Sequence, residues 1–370
     1  MTDKKYFGSL DVAKFIAAVI VALFFHYRVV MFGEVPFYKG AVMKFIYDYG
    51  WLGVEFFFFV SGFFAYYHSA DKLIEGSSAA DFLIAKIIRI YPVMILSVIA
   101  AAAGQWLTYV RFGKYFMIED HQKNSLTSFI LSILGIQSGW FADLDAYSIN
   151  GPCWYISILM ICYMIFAICI RVFGSRKNRL NLSFILIMIA GICCEIRKPD
   201  MFLAYSSNGR GYICFFGGAL IAEYYMSGKM KGKHRIWIMA VSAVLISFFI
   251  GMYHFGVCDD ICFDFTFLAA PEILLLLLGL KQTGDHGPAK SGNYAGNRIC
   301  QSLGAISFDI YLLNFPLGIW TIFVMETFGI RADTGSLSFF AFFAVMTIVT
   351  AVLFHCLVEV PLTKRLSNGH

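Results

Sequence analysis

Apolar runs long enough to cross a bilayer fill most of the sequence, and that single pattern excludes most folds. A membrane helix needs about 20 largely apolar residues. Runs of that kind lie near residues 10–30, 47–68, 86–108, 152–172, 180–196, 209–226, 235–255, 261–280, 299–325 and 337–358. In lipid only helices and closed barrels satisfy their own backbone hydrogen bonds, and no alternating strand pattern of ~10 residues recurs. The sequence therefore predicts an all-α integral membrane protein of about ten transmembrane helices. Composition agrees, with 59% hydrophobic and only 14% charged residues. A further apolar patch at 125–137 is too short to span and reads as re-entrant or interfacial.

Charge sets the orientation. With ten spans and a cytoplasmic N-terminus, most of the 29 Lys and Arg fall inside, including the clusters "RVFGSRKNR" and "KMKGKHR". Counting 125–137 as a span would send both clusters outside, so the positive-inside rule places both termini in the cytoplasm. The net charge of +5 is then a mark of topology and no argument for nucleic acid. No cleavable signal is expected: Met1 to Leu10 is polar, and the first apolar run is long enough to remain as an anchor. The ten cysteines include no CxxC pair, so neither a metal site nor a disulfide framework is expected, nor is a bond between Cys258 and Cys262. Residues 1–370 read as one membrane domain without a separate soluble domain.

Ionisable groups inside membrane segments are costly and therefore mark candidate sites. They are Asp11, Lys14, His26, Glu55, Arg89, Glu195, Glu272, Asp309, His355 and Glu359. Lys14 is either a snorkelling anchor paired with Asp11 or a ligand-binding cation. His26, about 18 Å further along an α-helix, is either a packing residue or a general base. Glu55 lies near the same depth, where a carboxylate would orient the imidazole. Arg89 anchors the cytoplasmic end or holds phosphate oxygens with its planar fork. Gly53, Ser61 and Gly62 favour a close helix approach. Trp154 and Tyr155 suit an interfacial belt or an acceptor site, and Arg210 a lipid headgroup or an acceptor. Tyr311 and Asn314, one turn apart, are placed to hydrogen-bond into a cavity or across helices. Glu359 reads as structural.

In order along the chain, "LDVAKFIAAVIVALFFH", "GVEFFFFVSGFF", "IAKIIRIYPVMIL", "GPCWYISILMICY", "GRGYICFFGGALI", "ISFDIYLLNFPL" and "HCLVEVPLTKRL" resemble the motifs of the acyltransferase 3 family of bacterial integral-membrane O-acyltransferases. The resemblance implies ten core spans in the bacterial plasma membrane. It implies transfer of an acyl group, often acetyl, from cytoplasmic acyl-CoA to a hydroxyl of a cell-surface or exported carbohydrate or glycolipid. Acyl-CoA would be a co-substrate, with no permanently bound cofactor. His26 and Glu55 would be catalytic, Lys14 and Arg89 would bind the donor, and Trp154, Tyr155, Arg210, Tyr311 and Asn314 would line the acceptor site. The chain would act alone or with a separate extracytoplasmic partner.

One departure bears on geometry. The family's basic residue and histidine lie eleven residues apart, whereas Lys14 and His26 are twelve apart. In a pure α-helix twelve residues leave the pair about 120° out of line, unless a π-bulge absorbs the extra residue. The competing class is a transporter or flippase of glycan intermediates, which would show repeat symmetry; no internal repeat is visible.

Overall fold

The computed structural model describes residues 6–33, 40–141, 148–256, 265–280 and 294–367. The Cys258 and Cys262 turn and the start of the 261–280 run lie outside them. The described residues contain helices and connecting turns, with no strand. In chain order the helices are α1 (Gly8–Val19), which continues as a π-helix (Ile20–Phe32), α2 (Ala41–Tyr49), α3 (Gly53–Ile74), α4 (Ala79–Phe112), α5 (Leu126–Leu134), α6 (Trp154–Phe173), α7 (Lys177–Arg197), α8 (Ser206–Met226), α9 (Gly232–His254), α10 (Ala270–Gly279), α11 (Tyr294–Phe328), α12 (Leu337–Phe354), a π-turn (His355–Glu359) and α13 (Val360–Ser367).

Among the described residues, eight stretches are long and apolar enough to cross a membrane: Gly8–Phe32, Val42–Ile74, Ala79–Phe112, Gly151–Phe173, Lys177–Arg197, Gly232–Met252, Arg298–Phe328 and Leu337–Arg365. The two remaining predicted spans are α8 and the segment around α10. With 21 residues, α8 is about 31 Å long but carries Asn208, Arg210 and Glu223. It packs against α3, α6 and α7, and an enclosed helix has no need of a lipid-like surface. The 125–137 patch forms the nine-residue helix α5, with Ser125 as its N-cap and Gly135 after its last turn. At about 14 Å it is too short to cross, as its length predicted.

The tightest helix pair is α3 with α8. A Cβ added at Gly62 would overlap the carbonyl of Phe215, and one at Gly218 would overlap the carbonyl of Phe59. Gly62 thus plays the close-approach role read from the sequence. Gly53 plays it too, toward the first helix, where an added Cβ would overlap the Val21 side chain and press on the Ala17 carbonyl, whereas Ser61 bonds Tyr155. In a bilayer, where no hydrophobic force drives helices together, such contact supplies much of the association.

Pro316 shows how sequence exceptions are absorbed. A mid-helix proline offers no N–H to the carbonyl four residues earlier, here that of Leu312. The Asn150 side chain donates to this carbonyl at 3.3 Å and to Ser97 Oγ at 2.8 Å. The segment that opens α6 is thereby fastened to α11 and α4.

Gly62→Val is expected to cost about 2–3 kcal/mol by forcing side-chain volume against backbone. Gly251→Ala, inside α9 with no atom within 4 Å of the new methyl group, should leave stability unchanged or raise it by up to about 1 kcal/mol. Thermal unfolding in detergent checks both, and equal midpoints would contradict the close-packed α3–α8 seam.

Candidate active site

Two cavities lie one beyond the other along the bundle. The first, of about 260 Å³, is lined by His26, Trp51, Pro152, Trp154, Arg210 and Tyr311 among others. The second, of about 170 Å³, is lined by Lys14, Ser61, Lys86, Arg89, Tyr155, Tyr163, Tyr311 and Glu359 among others. Tyr311 lines both and is their shared wall. Its hydroxyl donates to the carbonyl of Pro152 at 3.0 Å.

Lys14 and His26 are aligned by a change of helical pitch. From Ile20 the first helix is π-helical, with about 4.4 residues per turn and therefore about 82° per residue. Six α steps followed by six π steps bring His26 within roughly 30° of the Lys14 face, where a continuous α-helix would leave about 120°. The extra residue in the sequence is absorbed in the wider turns. Gly33, at φ +77, ends the stretch by donating to the Arg28 carbonyl.

His26 is 6% exposed. Its Nδ1 lies 3.1 Å from Asn314 Oδ1. The Asn314 amide nitrogen donates to the carbonyls of Ile310 and Tyr311, so its oxygen faces the imidazole. Nδ1 therefore carries the proton, and Nε2 is the basic nitrogen of a ring that lines the cavity.

This corrects the role read for Glu55. His26 is oriented by Asn314, while the fully buried Glu55 accepts from Arg210 Nε at 2.5 Å. The Arg210 guanidinium lies 4.7 Å from the ring centroid of Trp51 and 4.6 Å from that of Trp154. Two rings and a carboxylate hold the cation at the cavity wall. His26 and Arg210 thus share one cavity as lining residues, and Glu55 reaches it through Arg210. Trp51 carried no sequence signal beyond its place in the same run as Glu55.

Asn314, read from the sequence as an acceptor contact, is wholly buried and acts on the ring of His26. Tyr155 also departs from its expected place. Consecutive helix positions lie about 100° apart, so Trp154 lines the His26 cavity while Tyr155 lines the Lys14 cavity, bonded to Ser61 at 2.9 Å.

Lys14 and Arg89 both line the second cavity. Lys14 is also bonded to Asp11 at 2.7 Å and lies over the ring of Phe64. Lys86 joins them in the same cavity, between the rings of Phe82 and Tyr163. Three cations and an apolar wall of Phe57, Val60, Phe64 and Leu159 suit an anion with an apolar arm.

Replacing Asn314 by Leu should remove the tautomer lock and lower turnover by about 100-fold or more. Activity at matched folded fraction, checked by thermal unfolding, tests this. Unchanged turnover would deny Asn314 its positioning role.

A family model described as an acyltransferase domain matches residues 7–356, nearly the whole chain. No curated protein and no solved structure matches. The match decides between the two classes left open by the sequence, in favour of an enzyme. The seven motifs, the apolar helices and this match together place the chain in the acyltransferase 3 family, as a membrane-bound acyltransferase.

Proposed function

We propose that the protein is an O-acyltransferase of the bacterial plasma membrane. It takes an acyl group, acetyl in the simplest case, from cytoplasmic acyl-CoA and passes it to a hydroxyl of a cell-surface or exported carbohydrate. The observation that carries this reading is the division of labour between two cavities with a common wall: cations in one, an oriented imidazole in the other.

In this reading Lys14, Lys86 and Arg89 hold the phosphates of coenzyme A at the cytoplasmic end, Arg89 by its bidentate fork. The pantetheine arm runs along the apolar wall toward Tyr311. With the first-helix separation reduced to about 16 Å by the shorter rise of π turns, a flexible arm of that kind covers much of the distance to His26. The acceptor hydroxyl enters the His26 cavity from the opposite face.

Nε2 of His26 removes the hydroxyl proton as the oxygen attacks the thioester carbonyl. The tetrahedral intermediate carries negative charge on the former carbonyl oxygen, and Arg210 supplies positive charge on the cavity wall. Collapse breaks the C–S bond, and the imidazolium returns its proton to the departing thiolate. The products are an ester and free coenzyme A, with no net change at His26. The proton balance needs no additional cofactor.

Labelled acetyl-CoA and a glycan acceptor give the test. His26→Ala should reduce transfer by about 1,000-fold or more, while Arg89→Ala should raise the KM for the donor at least ~10-fold with a smaller effect on kcat. An active, folded His26→Ala protein would overturn the mechanism. An Arg89→Ala protein with an unchanged donor KM would move the coenzyme elsewhere.

A further inference from the structure

Three ionisable side chains of α11 and the π-turn meet beside the Lys14 cavity. They are Asp309, His355 and Glu359, and one potential ligand atom from each lies within 4.8 Å of the others. His355 Nδ1 is 3.2 Å from Asp309 Oδ2 and also bonds Glu359 Oε2. We propose that these three residues bind one divalent transition-metal ion of the Zn²⁺ or Mn²⁺ type.

The first argument is an accounting of protons. Asp309 is fully buried, and neither of its carboxylate oxygens accepts a hydrogen bond among the described residues. A single imidazole nitrogen offers at most one proton, and here it faces two carboxylates. A buried carboxylate left in that state is costly unless something else compensates it.

Charge is the second argument. With both carboxyls ionised and the imidazole neutral the cluster sums to −2, and the ion pairs that it makes among the described residues are internal to it. Lys14, Lys86 and Arg89 share a cavity with Glu359, yet none forms an ion pair with the cluster. One divalent ion brings the sum to zero inside the bundle, where uncompensated charge is most expensive.

Geometry and chemistry choose the class of ion. The π-turn from His355 to Glu359 carries four residues through almost one full turn, so the two side chains stand in line. Asp309 completes the set from α11. One imidazole and two carboxylates form a mixed nitrogen and oxygen site, which suits Zn²⁺ or Mn²⁺ better than the all-oxygen preference of Ca²⁺ or Mg²⁺. His355 also lines a groove of about 560 Å³ with Arg298 and Ser302, which supplies an entry path. The site is independent of the acyl-transfer reading. An ion in it would tie α11 to the last helical stretch and fix the Glu359 edge of the Lys14 cavity.

The test uses the full chain in detergent, stripped with a chelator and titrated with Co²⁺ and then Zn²⁺. We expect one ion per chain by elemental analysis, Co²⁺ ligand-field bands that Zn²⁺ abolishes, and a raised unfolding midpoint. Asp309→Asn and His355→Gln should each weaken binding at least ~10-fold, and His355→Cys should retain it. If Asp309→Asn does not fold, the partly exposed His355→Gln carries the comparison. No bound ion, no visible bands and no midpoint shift would overturn the proposal, as would binding unchanged by both substitutions. The cluster would then be carboxyl groups sharing protons through an imidazole.

Discussion

The change of pitch at Ile20 is the constraint on which the arrangement of the site depends. Residues in a straight α-helix keep a fixed angular relation, and twelve residues carry a side chain to a different face. The π-helical stretch from Ile20 to Phe32 turns His26 back into line with Lys14. Wider turns hydrogen-bond less favourably and are held by their surroundings. Here the holding contacts are the Tyr27 hydroxyl on the Thr334 carbonyl, the Arg28 pair with Asp48, and the His26 bond to Asn314. The same contacts that stabilise the unusual backbone therefore orient the imidazole.

Electrostatics then separates the two ends of the site. Near His26 the one cation among the described lining residues, Arg210, is held by Glu55 and two tryptophans. At the other end Lys14, Lys86 and Arg89 gather around a smaller space, and among the described residues only Lys14 of the three forms an ion pair. An anion would find unspent positive charge there. Tyr311 stands between the two environments with its hydroxyl tied to Pro152, and that segment is tied in turn through Asn150 to the carbonyl freed by Pro316. The wall between the cavities is thus built from backbone exceptions that the sequence places in α11 and at the start of α6.

Much of this was legible in the sequence, for physical reasons that also explain the rest. Long apolar runs specify membrane helices because lipid imposes one length and one hydrogen-bonding solution. α8 fits that pattern least well, since a helix enclosed by others is not selected for contact with lipid. Gly62 was readable as a site of close approach, whereas the partner of Glu55 was not: Arg210 lies 155 residues away, and no local period connects them. The opposite orientations of Trp154 and Tyr155 follow from helix geometry only once the neighbours of α6 are known. The spacing from Lys14 to His26 announced a problem in the first helix, and the π-turns are its solution.

A structure of the protein in a lipid nanodisc with acetyl-CoA bound tests the central claim most directly. The account predicts phosphates against Lys14, Lys86 and Arg89, with the acyl end directed past Tyr311 toward His26. Coenzyme A bound in the His26 cavity by its phosphates, or bound outside the Lys14 cavity altogether, would contradict it.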